Sequence, residues 1–210
     1  MKVFVCPNRD ETGKLIAAFR VHPEIWNGLI LDIGCGSRYL KTLFPNGKVR
    51  YFGLDLFPPA DIIATLESRL PFRDLKFDTV VGLDVLEHAD NIFNAFNEIC
   101  RVARKYILIT MPNGFDVRSR IKFLLGMGIS GKYGLPMDPP KDRHRWIFSL
   151  KEARRFVHAR AECNKFEVLI EGYLMGPCRS ILGGRILVHL LPNVFSPWYL
   201  VLLQRKECWE

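Results

Sequence analysis

None of the six cysteines (Cys6, Cys35, Cys100, Cys163, Cys178 and Cys208) stands in a CxxC pair. All lie in apolar or mixed stretches. This argues against a zinc ribbon or a secreted disulfide framework and for reduced, mostly buried thiols. No apolar run is long enough to span a membrane. The most apolar stretch, Ile186 to Leu203, is broken by Pro192, Asn193, Ser196 and Pro197. The opening residues, MKVFVCPNRDETGK, lack the apolar core of a signal peptide, and a cytoplasmic protein is expected. Internal repeats and low-complexity tracts are absent, which excludes collagenous, coiled-coil and disordered chains. Acidic residues are scarce: 22 Asp and Glu face 30 Lys and Arg, leaving a net charge of +8. Such a balance favours anionic partners but does not select a fold.

What is present is ordinary for a globular protein: 210 residues, 49% hydrophobic and 25% charged. A single domain over 1–210 is expected, long enough to bury a core without staples. Lys14 to Trp26 has helical spacing. Gly28 to Ile33 is a short apolar run ending in a Gly34-Cys35-Gly36 turn. Arg38 to Phe44 reads as a short helix, Val49 to Leu54 as a strand closing on Asp55, and Ala60 to Ala64 as a short apolar segment. Phe77 to Leu83 is a β-rich strand. Asn91 to Arg104 is an amphipathic helix with Ile92, Phe93, Phe96, Ile99, Cys100 and Ala103 on one face, and Lys105 to Met111 is a further strand. This alternation predicts an α/β fold, a doubly wound, mostly parallel sheet with helices on both faces. Beyond it, Phe115 to Gly126 reads as helix and Gly128 to Arg145 as a long loop. Ser149 to Glu152 forms a capping box before a helix to about Glu162. Phe166 to Ile170 and Trp198 to Gln204 read as strands, while Ser180 to Leu191 fits either a helix or an apolar insertion.

In a doubly wound sheet, ligands bind outside the carboxyl ends of the strands, where Asp32, Gly34, Gly36, Asp55 and Asp84 all map. Glycines at the turn let backbone approach a ligand closely. Asp55, 19 residues beyond Gly36, can accept both hydroxyl protons of a ribose. A dinucleotide fingerprint needs a third glycine at position 39, which is Tyr39, so a lone adenosine unit fits better than NAD.

Leu31-Asp-Ile-Gly-Cys-Gly36 resembles motif I of class I S-adenosylmethionine (SAM)-dependent methyltransferases. Leu70-Pro-Phe-Arg-Asp74, Phe77-Asp-Thr-Val-Val81 and Asp84-Val-Leu-Glu-His88 resemble the central block of that family's small-molecule, type 11-like branch. Glu98-Ile-Cys-Arg-Val102 and Thr110-Met-Pro-Asn113 extend the likeness over roughly 28–113, the expected SAM-binding core. The resemblance implies a sheet of seven strands. It also implies that Asp32 and the Gly34–Cys35–Gly36 backbone hold the methionine end of SAM. Asp55 would hold the ribose, with Leu56 beside it a further cofactor contact; Thr65 and Leu66 would contact the adenine, and Leu83 and Asp84 would stand at the mouth of the transfer site. One departure is Arg38, where the family usually has a small residue.

Methyl transfer is an in-line displacement that needs alignment of the acceptor, and a base only where the acceptor must lose a proton. His88 and His144 are the candidate bases, beside Asp84 as a catalytic residue; His22, His158 and His189 read as structural or exposed. No metal is expected. The candidates for one are Asp84, Glu87 and His88, whose spacing resembles that of some ubiquinone-pathway O-methyltransferases and small-RNA methyltransferases taken to bind a divalent ion. Residues 114–197 are expected to bind the acceptor, with Arg143, Arg145 and Trp146 as contacts for an anionic group. With the apolar Ser180–Trp198 segment they suggest a small, anionic or lipid-linked acceptor and peripheral membrane association. The scattered basic residues argue against nucleic acid. RNA or protein methylation, and a SAM-binding regulatory subunit without catalysis, remain as alternatives.

Overall fold

The computed structural model describes residues 1–6, 11–44, 49–128, 132–138, 140, 142–175 and 183–206. Its centre is a sheet of eight strands: β1 (Lys2–Val5), β2 (Leu29–Ile33), β3 (Arg50–Asp55), β4 (Ile62–Ile63), β5 (Phe77–Leu83), β6 (Ala103–Pro112), β7 (Phe166–Met175) and β8 (Trp198–Arg205). The order across the sheet is β1-β7-β8-β6-β5-β2-β3-β4. β8 runs antiparallel to β6 and β7; the other described pairings are parallel. The likeness to known methyltransferases implied seven strands, and the eighth is a correction. β1 joins the outer edge of β7 with Lys2 opposite Gly172. A Cβ at Gly172 would lie 2.3 Å from the Lys2 carbonyl oxygen, so this edge closes only over glycine.

Every residue of β2 is buried, as expected of a strand covered on both faces. One core layer holds Leu31, Ile33, Phe77, Phe96, Ile99, Val157 and Tyr199; the opposite layer holds Ile25, Trp26, Ile30, Leu40, Val81 and Leu108. Helix α3 (Ile92–Val102) lies on the first face, capped by the Asn91 side chain accepting from Asn94 N. Two residues read as helix, Ala103 and Arg104, open β6 instead. Phe93 is half exposed at the rim of that face and packs edge-on against Phe156. Helix α5 (Leu150–Cys163) starts with the anticipated capping box of Ser149 and Glu152. Helix α1 (Glu11–Phe19) and the turn Pro23–Trp26 cover the second face, where α2 (Tyr39–Thr42) is a single turn. Helix α4 is Val117–Leu124, and α6 (Gly184–Leu190) and α7 (Pro192–Phe195) resolve most of the ambiguous stretch as helix; 180–182 lie outside the described residues. Cys6, Cys35 and Cys100 are buried thiols and Cys163 is an exposed one, while Cys178 and Cys208 lie outside the described residues. No helix among the described residues is long and apolar enough to cross a membrane.

Candidate active site

The chain leaves β2 toward β3 on one side and returns to β5 on the other, so a crevice opens at their carboxyl ends. Gly34 (φ 69°) and Gly36 (φ 49°) turn the backbone there. A Cβ added at Gly36 would meet nothing within 4 Å, so the turn borders open space. Asp55, ending β3, accepts from Gly36 N at 2.9 Å through Oδ2 and from Leu56 N at 2.7 Å through Oδ1. Asp32 is buried, and the Tyr51 hydroxyl donates to its Oδ2 at 2.6 Å. Burial pushes the Asp32 carboxyl up to about 7, against the pull of the Tyr51 bond and with a smaller contribution from the Asp55 charge. Arg38 occupies the left-handed region (φ 62°), which explains why a small residue is usual there. Its guanidinium runs to Asp61 Oδ2 (2.5 Å) and the Pro59 carbonyl oxygen (3.3 Å) and lies over the Tyr51 ring.

Of the remaining expected cofactor contacts, Leu56 is exposed and Leu83 half-buried. Leu66 is buried against the core, and Thr65 Oγ1 accepts from Glu67 N. Thr65 follows β4, whose Ile63 pairs with Asp55, so both stand at the same edge.

The end of β5 builds the second half of the crevice. Asp84 has φ 55°; its Oδ2 meets Lys14 Nζ at 2.5 Å and its Oδ1 accepts from Thr110 Oγ1 at 2.6 Å. Glu87 follows in a one-turn 3-10 helix, Leu86–His88, with 0% exposure and no hydrogen-bond partner at either carboxylate oxygen. Burial, then the charge of Asp84, raises its pKa well above the usual carboxylate range. His88 and His144 meet edge to face, with ring centroids 4.6 Å apart. Burial lowers both pKa values, that of His144 to about 4 with His88 as the next cause, so both rings are neutral near pH 7. The Asp142 carboxylate lies 2.5 Å from His88 Nδ1. The three side chains whose ligand atoms cluster are therefore Glu87, His88 and His144, while the carboxylate of Asp84 is engaged by Lys14 and Thr110.

The expected acceptor contacts divide. Arg143 is exposed, and its carbonyl oxygen lies 3.2 Å from His88 Nδ1. Arg145 pairs through Nε with Asp90 at 2.8 Å. Trp146 donates its indole N–H to the Ala89 carbonyl oxygen at 2.8 Å, and the Arg145 and Trp146 backbone N–H groups donate to the Glu87 carbonyl oxygen. This stretch is thus fastened to the end of β5.

Four partners escaped the reading of the sequence: Lys14, Tyr51, Thr110 and Asp142. Lys14 had a visible signal, as the one Lys or Arg of the mostly apolar α1, and it is 7% exposed here. Tyr51 and Thr110 are ordinary strand residues until the register brings them to the edge.

Residues 31–108 match the model of a family described as a methyltransferase domain. The match covers the β2–β6 part of the sheet that carries the crevice, and it is a likeness of this part of the chain to that family. The chain is 29% identical over 96 residues to "Probable tRNA methyltransferase 9B" of Bos taurus, covering 41% of this chain and 20% of that one. It is 30% identical over 104 residues to an uncharacterized methyltransferase of Mycobacterium leprae (strain TN), covering 43% of this chain and 36% of the relative. The chain therefore matches only about a fifth to a third of the length of these curated relatives. Among solved structures it resembles a SAM dependent methyltransferase from Archaeoglobus fulgidus, with TM-score 0.59, 17% identity and coverage of 91% and 94% of the two chains. It also resembles the [4+2]-cyclase SpnF, with TM-score 0.57, 12% identity and coverage of 92% and 80%. Both likenesses are of fold. The residues suit the cofactor the family implies: the Gly36 turn leaves room, and Asp55 has acceptor capacity beyond its backbone bonds.

Proposed function

We propose that the chain is a SAM-dependent methyltransferase that modifies O or N of a small, anionic or lipid- or glycan-linked acceptor. The observation that carries this is the pairing of two carboxylates at one sheet edge. Asp55 is tied to the Gly36 turn and can take ribose hydroxyls, while buried Asp32 can take an ammonium. SAM supplies an electrophilic methyl group when bound. Asp32 would hold its methionine end, the turn at Gly34–Gly36 its backbone, and Leu66 the edge of the adenine. Asp84, fixed by Lys14 and Thr110, presents a rigid wall beside the acceptor mouth. Positioning of this kind contributes roughly 7–11 kcal/mol to a displacement. A hydroxyl acceptor would also need a proton acceptor, and the neutral rings of His88 and His144 suit that task.

An apolar acceptor is supported by α4 and the residues after it. Phe123, Leu124, Leu125, Met127, Leu135 and Met137 are each more than half exposed. Beside them a recess of about 470 Å³ reaches Tyr133, whose ring touches that of His144. The Arg38 departure has a local reason in Asp61 and Pro59, so it does not by itself favour a subunit without catalysis. An RNA acceptor is the second reading, favoured by the relative named as a tRNA methyltransferase.

The test is incubation with methyl-labelled SAM and separate pools of polar metabolites, lipid extract and total RNA. Label in the metabolite or lipid pool is expected, with S-adenosylhomocysteine released in step. Label confined to RNA would replace this acceptor class with the second reading, and salt-sensitive RNA retention would accompany it.

A further inference from the structure

Glu87 stands out among the buried polar groups. Its carboxylate is fully enclosed, yet neither oxygen has a hydrogen-bond partner. A buried carboxylate left in that condition is costly unless something answers it. The groups that face it are two imidazoles. His88 Nε2 lies 3.8 Å from Glu87 Oε1, and His144 Nε2 lies 3.9 Å from the same oxygen. Both separations are too long for hydrogen bonds. They are close to the spacing of two ligands on one ion with bonds of about 2.0–2.2 Å. One ligand atom from each of the three residues lies within 4.8 Å of the other two.

The surroundings orient the His88 ring for this. His88 Nδ1 is held by Asp142 Oδ1 at 2.5 Å and the Arg143 carbonyl oxygen at 3.2 Å, so Nδ1 carries the proton and Nε2 faces Glu87 with its lone pair. A carboxylate behind a histidine is the usual support of a metal-bound imidazole. The Lys132 ammonium pairs with Asp142 at 2.8 Å, and Lys14 with Asp84 at 2.5 Å, so each nearby cation has its own carboxylate.

We propose that Glu87, His88 and His144 bind one divalent first-row transition ion, such as Zn²⁺, which fastens the Asp142–Trp146 stretch to the end of β5. Two imidazoles and one carboxylate suit Zn²⁺, Mn²⁺, Fe²⁺ or Co²⁺; Mg²⁺ and Ca²⁺ prefer oxygen throughout. The ligands come from separate parts of the chain: Glu87 and His88 end β5, and His144 lies on the stretch that also gives Arg145 N, Trp146 N and the Trp146 indole to residues 87–89. The ion adds one more fastening between the same partners. Its binding does not depend on the methyl-transfer reading, and it would take both rings out of use as bases.

The test is equilibrium dialysis of chelator-treated full-length chain against Zn²⁺ and, separately, Mg²⁺, with elemental analysis. One equivalent of Zn²⁺ and no Mg²⁺ is expected in the wild type. Glu87→Gln and His144→Ala should each lose it, and Asp142→Asn should weaken it about 10–100-fold. Glu87→Gln removes the enclosed charge, so it should melt no lower than the metal-free wild type, which separates loss of binding from loss of fold. Zn²⁺ should also slow tryptic cleavage after the exposed Arg143 and Arg145 in the wild type but not in His144→Ala. Failure of the wild type to take up Zn²⁺, or uptake undiminished in both Glu87→Gln and His144→Ala, overturns the proposal. Cofactor binding measured on the same samples reports on methyl transfer separately.

Discussion

Asp32 and Tyr51 form a buried pair whose protonation has a readable consequence. With its pKa near 7, the carboxyl is largely protonated at pH 6 and largely ionised at pH 7.5. An ammonium group prefers the ionised form, so ligand binding would expel a proton below pH 7. Calorimetric titration with S-adenosylhomocysteine should therefore show Kd falling roughly fivefold from pH 6 to 7.5, allowing for the ligand amine. Affinity should turn down again above about pH 7.5 as that amine loses its own proton. Asp32→Asn should bind weakly and without the rise. Without ligand, the same shift acts on folding in the direction expected of a raised acid: this group's contribution is full below about pH 4 and is lost as pH climbs through 7. Asp32 itself was legible from its place before the glycine turn. Its tuning was not, because Tyr51 reaches it only through the pairing of β2 with β3.

Two polar clusters hold elements together. Arg101, on α3, uses all five guanidinium protons: Glu98 takes two, Asp74 one, and the Leu70 and Phe72 carbonyls one each. Glu98 also accepts from Leu70 N. The Leu70–Asp74 and Glu98–Val102 motifs, noticed separately in the sequence, are thus two sides of one clamp. It fixes the connection that carries Thr65 and Leu66. Lysine cannot reproduce the fork, so Arg101→Lys should lower stability by about 2 kcal/mol in urea unfolding and loosen cofactor binding as well. Glu171 on β7 joins three elements, accepting from Arg154 and Tyr199 and pairing with His158. Burial raises its pKa, but these bonds outweigh it and hold the carboxyl at about 2. Its contribution is present above about pH 4 and lost as pH falls toward 2. Glu171→Gln should cost about 2 kcal/mol at pH 7 and melt nearly like the wild type near pH 2. Neither cluster's long-range partners could be read in advance, whereas the capping box of α5 could, because it is confined to four residues.

At the scale of the molecule, alternating strands and helices made the parallel order of the central sheet legible, and with it the edge where Asp32, Asp55 and Asp84 gather. The outer strand β1 was not legible: it is four residues long and depends on Gly172 far along the chain. The meeting of His88 with His144 was equally hidden, since the intervening stretch has no periodic pattern to set its path. The account as a whole rests on the crevice between β2, β3 and β5 taking an adenosine-bearing sulfonium through Asp55. Thermal unfolding of the wild type and Asp55→Ala, each with saturating SAM, S-adenosylhomocysteine or NAD, tests that most directly. Ligand at about 100 times its Kd stabilises by about 2.7 kcal/mol. That predicts a rise of roughly 5–10 °C in the wild type with the first two ligands. NAD should give none, and Asp55→Ala should respond to none of the three. An unchanged melting temperature with SAM and its product, a comparable rise with NAD, or a full rise in Asp55→Ala would contradict it.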